Sequence, residues 1–207
     1  NHGWNAEDTV MDDQVVYNGK VYVRERPRWI ERGIGVEESM RHYSRLTKFY
    51  VVGNPVPGLS ARRLDLKDLG WVAPWSKPEY LDRKMKDTVR DGDFLWSAEA
   101  CDEMEEALRK ADMLDGWVDW LAPRERAALH NCKKNQMMSL LYQVRNSLCH
   151  GRFTFFKRNR AIWIALEDVK NPGKGSPVGA WKQLSARMVL RYSTLLSWQE
   201  LILAGPK

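Results

Sequence analysis

The chain has 207 residues, 43% of them hydrophobic and 29% charged, the balance of a globular chain rather than a disordered one. A net charge of +6 fits a polyanionic partner only weakly, because 27 acids accompany the 33 bases. Three widely spaced cysteines, Cys101, Cys132 and Cys149, argue for a reducing, cytoplasmic setting and against a disulfide framework. No apolar run is long enough to cross a membrane, and no stretch reads as a secretory leader. Asn1-His2-Gly3 reads as a tag remnant or a truncated start and carries no weight.

The first legible element is a β-hairpin over residues 15–23, with Asn18-Gly19 supplying the positive φ angles of a tight turn. Residues 24–32 are basic and read as a solvated connector. Residues 36–50 carry Met40, Tyr43, Leu46 and Tyr50 at helical spacing, and residues 51–74 are punctuated as loop. Ser76-Lys77-Pro78-Glu79 resembles a capping box opening a helix to about Val89. Ser97 is expected to cap a helix through Lys110, whose acids form a solvated face. A short Trp-rich segment over 114–121 follows, and Pro123 is expected to start another helix. A second hairpin spans 152–166 with a cationic tip, Lys157-Arg158-Asn159-Arg160, and residues 171–179 form a Gly/Pro loop. The longest helix is expected over 178–203, where Trp181, Met188, Leu195 and Ile202 recur every seventh residue.

Chemistry concentrates at Gln143-Val144-Arg145-Asn146-Ser147-Leu148-Cys149-His150-Gly151, which closes an apolar helix over 137–148. Met137, Leu141, Val144 and Leu148 share one face; Ser139, Gln143, Asn146 and His150 share the opposite one. Asn146 and His150 are four apart and stack one above the other. Arg145 lies between the faces, and its stem can carry a guanidinium to the polar side. Gly151 suits the left-handed residue that ends a helix, leaving His150 in the last turn. A histidine there can exchange protons near neutral pH, and a guanidinium can hold a phosphate. A zinc site from His130, Cys132, Cys149 and His150 is disfavoured, because adjacent Cys149 and His150 diverge on one helix and no C-x-x-C pair exists. Neither a metal nor another cofactor is expected.

The run R-N-x-x-x-H-G at a helix end resembles the motif of HEPN domains: an arginine, a short spacer often begun by a polar residue such as asparagine, then histidine. The close match covers about ten residues, and a looser match in helix order runs over 81–203. The resemblance implies an all-α bundle, a homodimer that brings two motifs to one cleft, and metal-independent RNA cleavage in a toxin or defence setting. An antitoxin or regulatory protein would restrain it. It places Arg145, Asn146 and His150 at the motif positions. It leaves a second reading open, a non-catalytic dimeric scaffold or RNA-binding module.

The expectation is therefore a mainly α chain: a HEPN-like helical bundle over 36–207, with two β-hairpin attachments, the first in an N-terminal arm over 1–35. The expected function is endoribonuclease, with His150 as general acid or base, Arg145 stabilising the phosphate and Asn146 orienting the phosphate or the imidazole. Arg152, Lys157, Arg158 and Arg160 are candidate RNA contacts. The polar stripe is expected to need a second copy of the chain to cover it.

Overall fold

The computed structural model describes residues 13–59, 64–133, 135–173 and 181–206. Asn1-His2-Gly3, most of the expected loop over 171–179 and the opening of the expected last helix at 178–180 lie outside them. Along the described residues run β1 (Gln14–Tyr17), β2 (Lys20–Arg24), α1 (Val36–Thr47), α2 (Pro78–Asp87), β3 (Leu95–Ala98), α3 (Met104–Lys110), β4 (Arg126–His130), α4 (Gln136–Cys149), β5 (Phe153–Arg158), β6 (Ala161–Lys170), β7 (Trp181–Arg191) and α5 (Tyr192–Ala204).

The expected mainly α bundle is corrected: the organising element is a seven-stranded mixed sheet with helices on both faces. β7 is its centre. β6 pairs along one edge of β7, from Trp163 opposite Arg191 to Lys170 opposite Gln183. A strand has two edges, so β2 and β4 share the other: β2 lies against Trp181–Gln183 and β4 against 186–189. The β3–β4 pair is parallel and the other pairs are antiparallel. The first hairpin, expected as an arm, is thus hydrogen-bonded into the sheet.

One face carries α1, α2, α4 and α5 over Leu129, Phe155, Ile164, Leu166, Met188 and Leu190. Three polar-tipped aromatics lock this layer to helix ends: Tyr50 Oη donates to the Leu195 carbonyl at 2.6 Å, Trp71 Nε1 to Ile202 at 2.9 Å and Trp198 Nε1 to Met85 at 3.0 Å. Each buries a large ring and satisfies its single N–H or O–H donor. The other face packs α3 and Trp117 over Val21, Val23, Ala128, Trp163 and Val189.

The longest misread segment has a clear cause. Residues 183–190 are all buried, because β7 faces a core on both sides. Such a strand loses the alternation that marks a half-exposed one, so its apolar residues fit a helical heptad equally well. The expected helix over 178–203 is strand to Arg191 and helix only from Tyr192. Likewise Arg126-Ala127-Ala128-Leu129, all good helix formers, are strand β4, where tertiary pairing overrides propensity. Leu95–Ala98 is strand β3, so Ser97 caps nothing and α3 starts later, after a 3₁₀ turn. The helix at 78 begins at its proline with no side-chain cap from Lys77. The first hairpin and the helices near 36 and 137 lie where expected, and the second hairpin is found with its return strand four residues longer, to Lys170.

The first hairpin's tip is also a docking point. Asn18 and Gly19 have φ of 50° and 71°, as a type I′ turn requires. The Gly19 carbonyl accepts from Glu105 N at 2.9 Å, and a Cβ on Gly19 would stand 1.9 Å from the Asp102 carbonyl oxygen. Gly19→Ala is expected to cost about 2–4 kcal/mol in urea denaturation, from positive φ and overpacking together. Gly92→Ala, with open space around it, is the matched control and is expected to be near neutral.

Candidate functional site

Helix α4 is held at both ends. The Asn135 side chain accepts from Met138 N at 2.9 Å and caps its start. At the finish, Gly151 takes φ 67°, Gly151 N bonds the Leu148 carbonyl and Arg152 N bonds the Ser147 carbonyl at 2.9 Å. These two bonds close the last turn through a left-handed residue, as a Schellman-type ending does. His150 is left at the helix end with its side chain half exposed.

The polar stripe of α4 does not face solvent. Ser139, Gln143 and Asn146 are buried, and their partners come from this same chain. Ser139 Oγ donates to Asn131 Oδ1 at 2.9 Å, Gln143 Nε2 reaches the His130 carbonyl at 3.5 Å and Asn146 Nδ2 reaches Asp168 Oδ2 at 3.4 Å. The reason for wanting a second copy over this stripe therefore falls away.

A β-bulge builds the opposite wall. Asp168 pairs with Ala186 while Val169 pairs with Leu184, so Ser185 is an extra residue on β7. Leu184 packs on the α3 face and Ala186 on the α4 face, although they are two apart, which shows the pleat reset. The bulge turns Ser185 toward α4, where its hydroxyl lies 2.8 Å from Asp168 Oδ2 and 3.4 Å from Gln143 Oε1. Its one proton serves the closer carboxylate.

Asn146, His150, Asp168 and Ser185 line a cleft of about 700 Å³ together with Tyr142 and Lys133, Lys170 and Lys182. The Lys133 ammonium sits 4.0 Å from the Tyr142 ring centroid, and Lys182 bridges to Glu25 at 3.3 Å. His150 Nδ1 stands 3.6 Å from Asp168 Oδ1, an ion-pair distance once the imidazole is charged. Burial pushes the Asp168 carboxyl up from its ordinary value, against the opposing pull of Ser185, Asn146 and His150.

His130 also lines this cleft, but both ring nitrogens are engaged. Nε2 is 3.2 Å from the Glu99 carbonyl, which only accepts, so Nε2 carries the proton. Nδ1 then accepts from the Cys101 thiol at 3.1 Å. Burial lowers the pKa of His130, followed by the charge of Lys170.

The sequence-predicted residues separate. Asn146 and His150 meet in the cleft. Arg145 is half-buried and does not line the cleft, and its guanidinium donates to Asn146 Oδ1 at 3.0 Å. Arg152 is buried: it pairs closely with Glu167 and donates to the Arg24 and Glu25 carbonyls. Lys157 pairs with Glu38 at 2.8 Å and Arg158 Nε donates to the Leu121 carbonyl at 2.6 Å. With Arg160 they sit at the tip of β5–β6, seven residues from Asp168 along β6, or roughly 23 Å at about 3.3 Å per residue. Asp168, Ser185 and the three cleft lysines were missed. The available signal was two adjacent acids, Glu167-Asp168, continuing an otherwise apolar strand.

Set against family models, curated proteins and solved structures, the chain matches none. The functional reading therefore stands on the cleft itself.

A stability test isolates Asp168. A pKa raised in the folded state means that the folded chain binds the extra proton. Stability then falls as pH rises from the ordinary aspartate value of about 3.9 through the raised one, and stays lower above it. Asp168→Asn removes this slope while keeping an acceptor for Ser185. The variant is expected to melt a few degrees higher than wild type near about pH 8, with the gap closing toward about pH 3, in calorimetry across that range.

Proposed function

We propose that this chain cleaves RNA by internal transesterification, with His150 moving the proton. The observation that carries the reading is a half-exposed imidazole at a helix end, opening into a cleft that three lysines rim. His150 takes the proton of a ribose 2′-hydroxyl, the oxygen attacks the adjacent phosphorus, and the 5′-oxygen leaves with a proton from an acid. The products are a 2′,3′-cyclic phosphate and a 5′-hydroxyl end. Lys133, Lys170 and Lys182 hold the phosphates as point charges and offset the charge gathered on the reacting one.

In-line displacement puts the base and the acid on opposite sides of the phosphorus. Among the described histidines, His130 has both nitrogens occupied and His42 packs between Phe155 and Tyr192. The proposal therefore includes a homodimer whose second His150 supplies the acid. A toxin or defence role with a restraining protein partner is the part of the proposal that rests on the HEPN resemblance of the motif alone. The bundle of that family is not part of it.

The test is incubation of purified protein with RNA in EDTA, with mapping of product ends. Wild type is expected to leave cyclic phosphates, His150→Ala to lose at least about 1,000-fold in rate with its melting unchanged, and His130→Ala to keep most activity. Equal activity in wild type and His150→Ala would leave only RNA binding or scaffolding. Binding separates the two cationic surfaces. Lys133→Glu with Lys170→Glu is expected to weaken RNA affinity at least about tenfold and to lower the log–log salt slope by about 0.7 per lost phosphate contact. Charge reversal of Lys157, Arg158 and Arg160 is expected to change both less.

A further inference from the structure

The motif's arginine, amide and histidine, on α4 and at its end, are joined through a residue of strand β6. Asn146 offers two different faces, a carbonyl oxygen that accepts and an NH₂ that donates. Its oxygen accepts from Arg145 Nη1 at 3.0 Å, and a guanidinium can only donate. Its nitrogen points to Asp168 Oδ2 at 3.4 Å, and a carboxylate can only accept. Both neighbours demand the same orientation of the amide, so its direction is determined twice.

Asp168 is then sorted oxygen by oxygen. Oδ2 takes Ser185 at 2.8 Å and Asn146 at 3.4 Å. Oδ1 is buried and has no hydrogen-bond partner among the described residues, yet it lies 3.6 Å from His150 Nδ1. An orphan acceptor beside a half-exposed imidazole selects the form with a proton on Nδ1, and that form leaves the Nε2 lone pair on the far side of the ring. The other charges around the cleft do not compete for this role. Lys133, Lys170 and Lys182 are cations, Glu25 pairs with Lys182, Arg152 with Glu167, and His130 is occupied on both nitrogens.

We infer that Arg145, Asn146, Asp168 and His150 form one positioning relay: Arg145 sets the Asn146 amide, the amide and Ser185 set the carboxylate, and its remaining oxygen sets the working tautomer of His150. Arg145, which does not line the cleft, acts through the Asn146 amide and touches no phosphate. Asp168, eighteen residues after His150 and outside the motif, is the link that makes the motif's spacing meaningful. The activity arm of the test rests on the proposed cleavage; the spectroscopic arm does not.

The test is ¹⁵N-detected NMR of the His150 imidazole in its neutral form, beside RNA cleavage kinetics. Wild type is expected to show the Nδ1–H tautomer. In Asp168→Asn the new amide keeps its oxygen on Ser185 and turns its NH₂ to His150, which drives the ring to Nε2–H. That variant is expected to lose roughly 100- to 1,000-fold in kcat with KM within about twofold. Arg145→Met is expected to shift the tautomer in part, to lose roughly 10- to 100-fold in kcat and to leave the salt slope of RNA binding unchanged. Arg145→Lys, which keeps a donor, restores most of both. Should either variant fail to fold, Ser185→Ala reads the same relay through a milder partial shift. An unchanged imidazole spectrum in Asp168→Asn overturns the relay whatever the substrate. A lower salt slope with an unchanged tautomer in Arg145→Met makes Arg145 a phosphate ligand and removes the first link. A wild type that cuts no RNA overturns the proposed function, and the spectra still decide the relay.

Discussion

β7 is bonded along both edges and buried on both faces, and this double enclosure constrains everything else. Its backbone groups find partners in β6 on one side and in β2 and β4 on the other, which satisfies most of the main-chain polar groups of a strand closed off from water on both faces. Its side chains supply two cores at once. Beneath them, on the α3 side, Arg187 of β7 and Arg152 at the start of β5 share the buried carboxylate of Glu167 on β6. Two cations around one anion in a dry layer are tolerable because each also bonds carbonyls: Arg187 those of Met113 and Leu114, Arg152 those of Arg24 and Glu25. The network fixes β6 against β7, and Asp168 stands one residue beyond it on the other face.

Local signals in the sequence were legible where the structure is local. Asn18-Gly19 and Asn159-Arg160 mark tight turns, and both pairs have positive φ. The apolar face of α4 and its glycine stop needed no information from elsewhere. What failed was non-local. Whether 183–190 forms helix or strand depends on cores supplied by residues far away in sequence, and a segment apolar on all sides carries no period to reveal its partner. The same holds for 126–130, where helical propensity is worth less than a seat between β3 and β7. The mainly α expectation came from summing those ambiguous segments in one direction.

The site divides along the same line. Asn146 and His150 were readable because helical spacing alone stacks them. Arg145 was readable as a neighbour but not as to which way it points, which depends on the amide and on what lies under it. Arg152 looked like a surface cation because its partner Glu167 belongs to a strand extended past the expected hairpin end. Asp168 left only the trace of an acid pair in that extension, and Ser185 left none, because it reaches the cleft only through a one-residue bulge.

That bulge falls at the point where the second edge of β7 passes from β2 to β4. The cleft wall therefore takes its final form only when strands from the first and the middle parts of the chain have both docked on a strand near its end. A nascent chain grown as far as Lys170 already carries the motif helix and Asp168, but neither Ser185 nor the strand that holds it. Until β7 is made and docked, the cleft lacks the wall to which Ser185 and Lys182 belong.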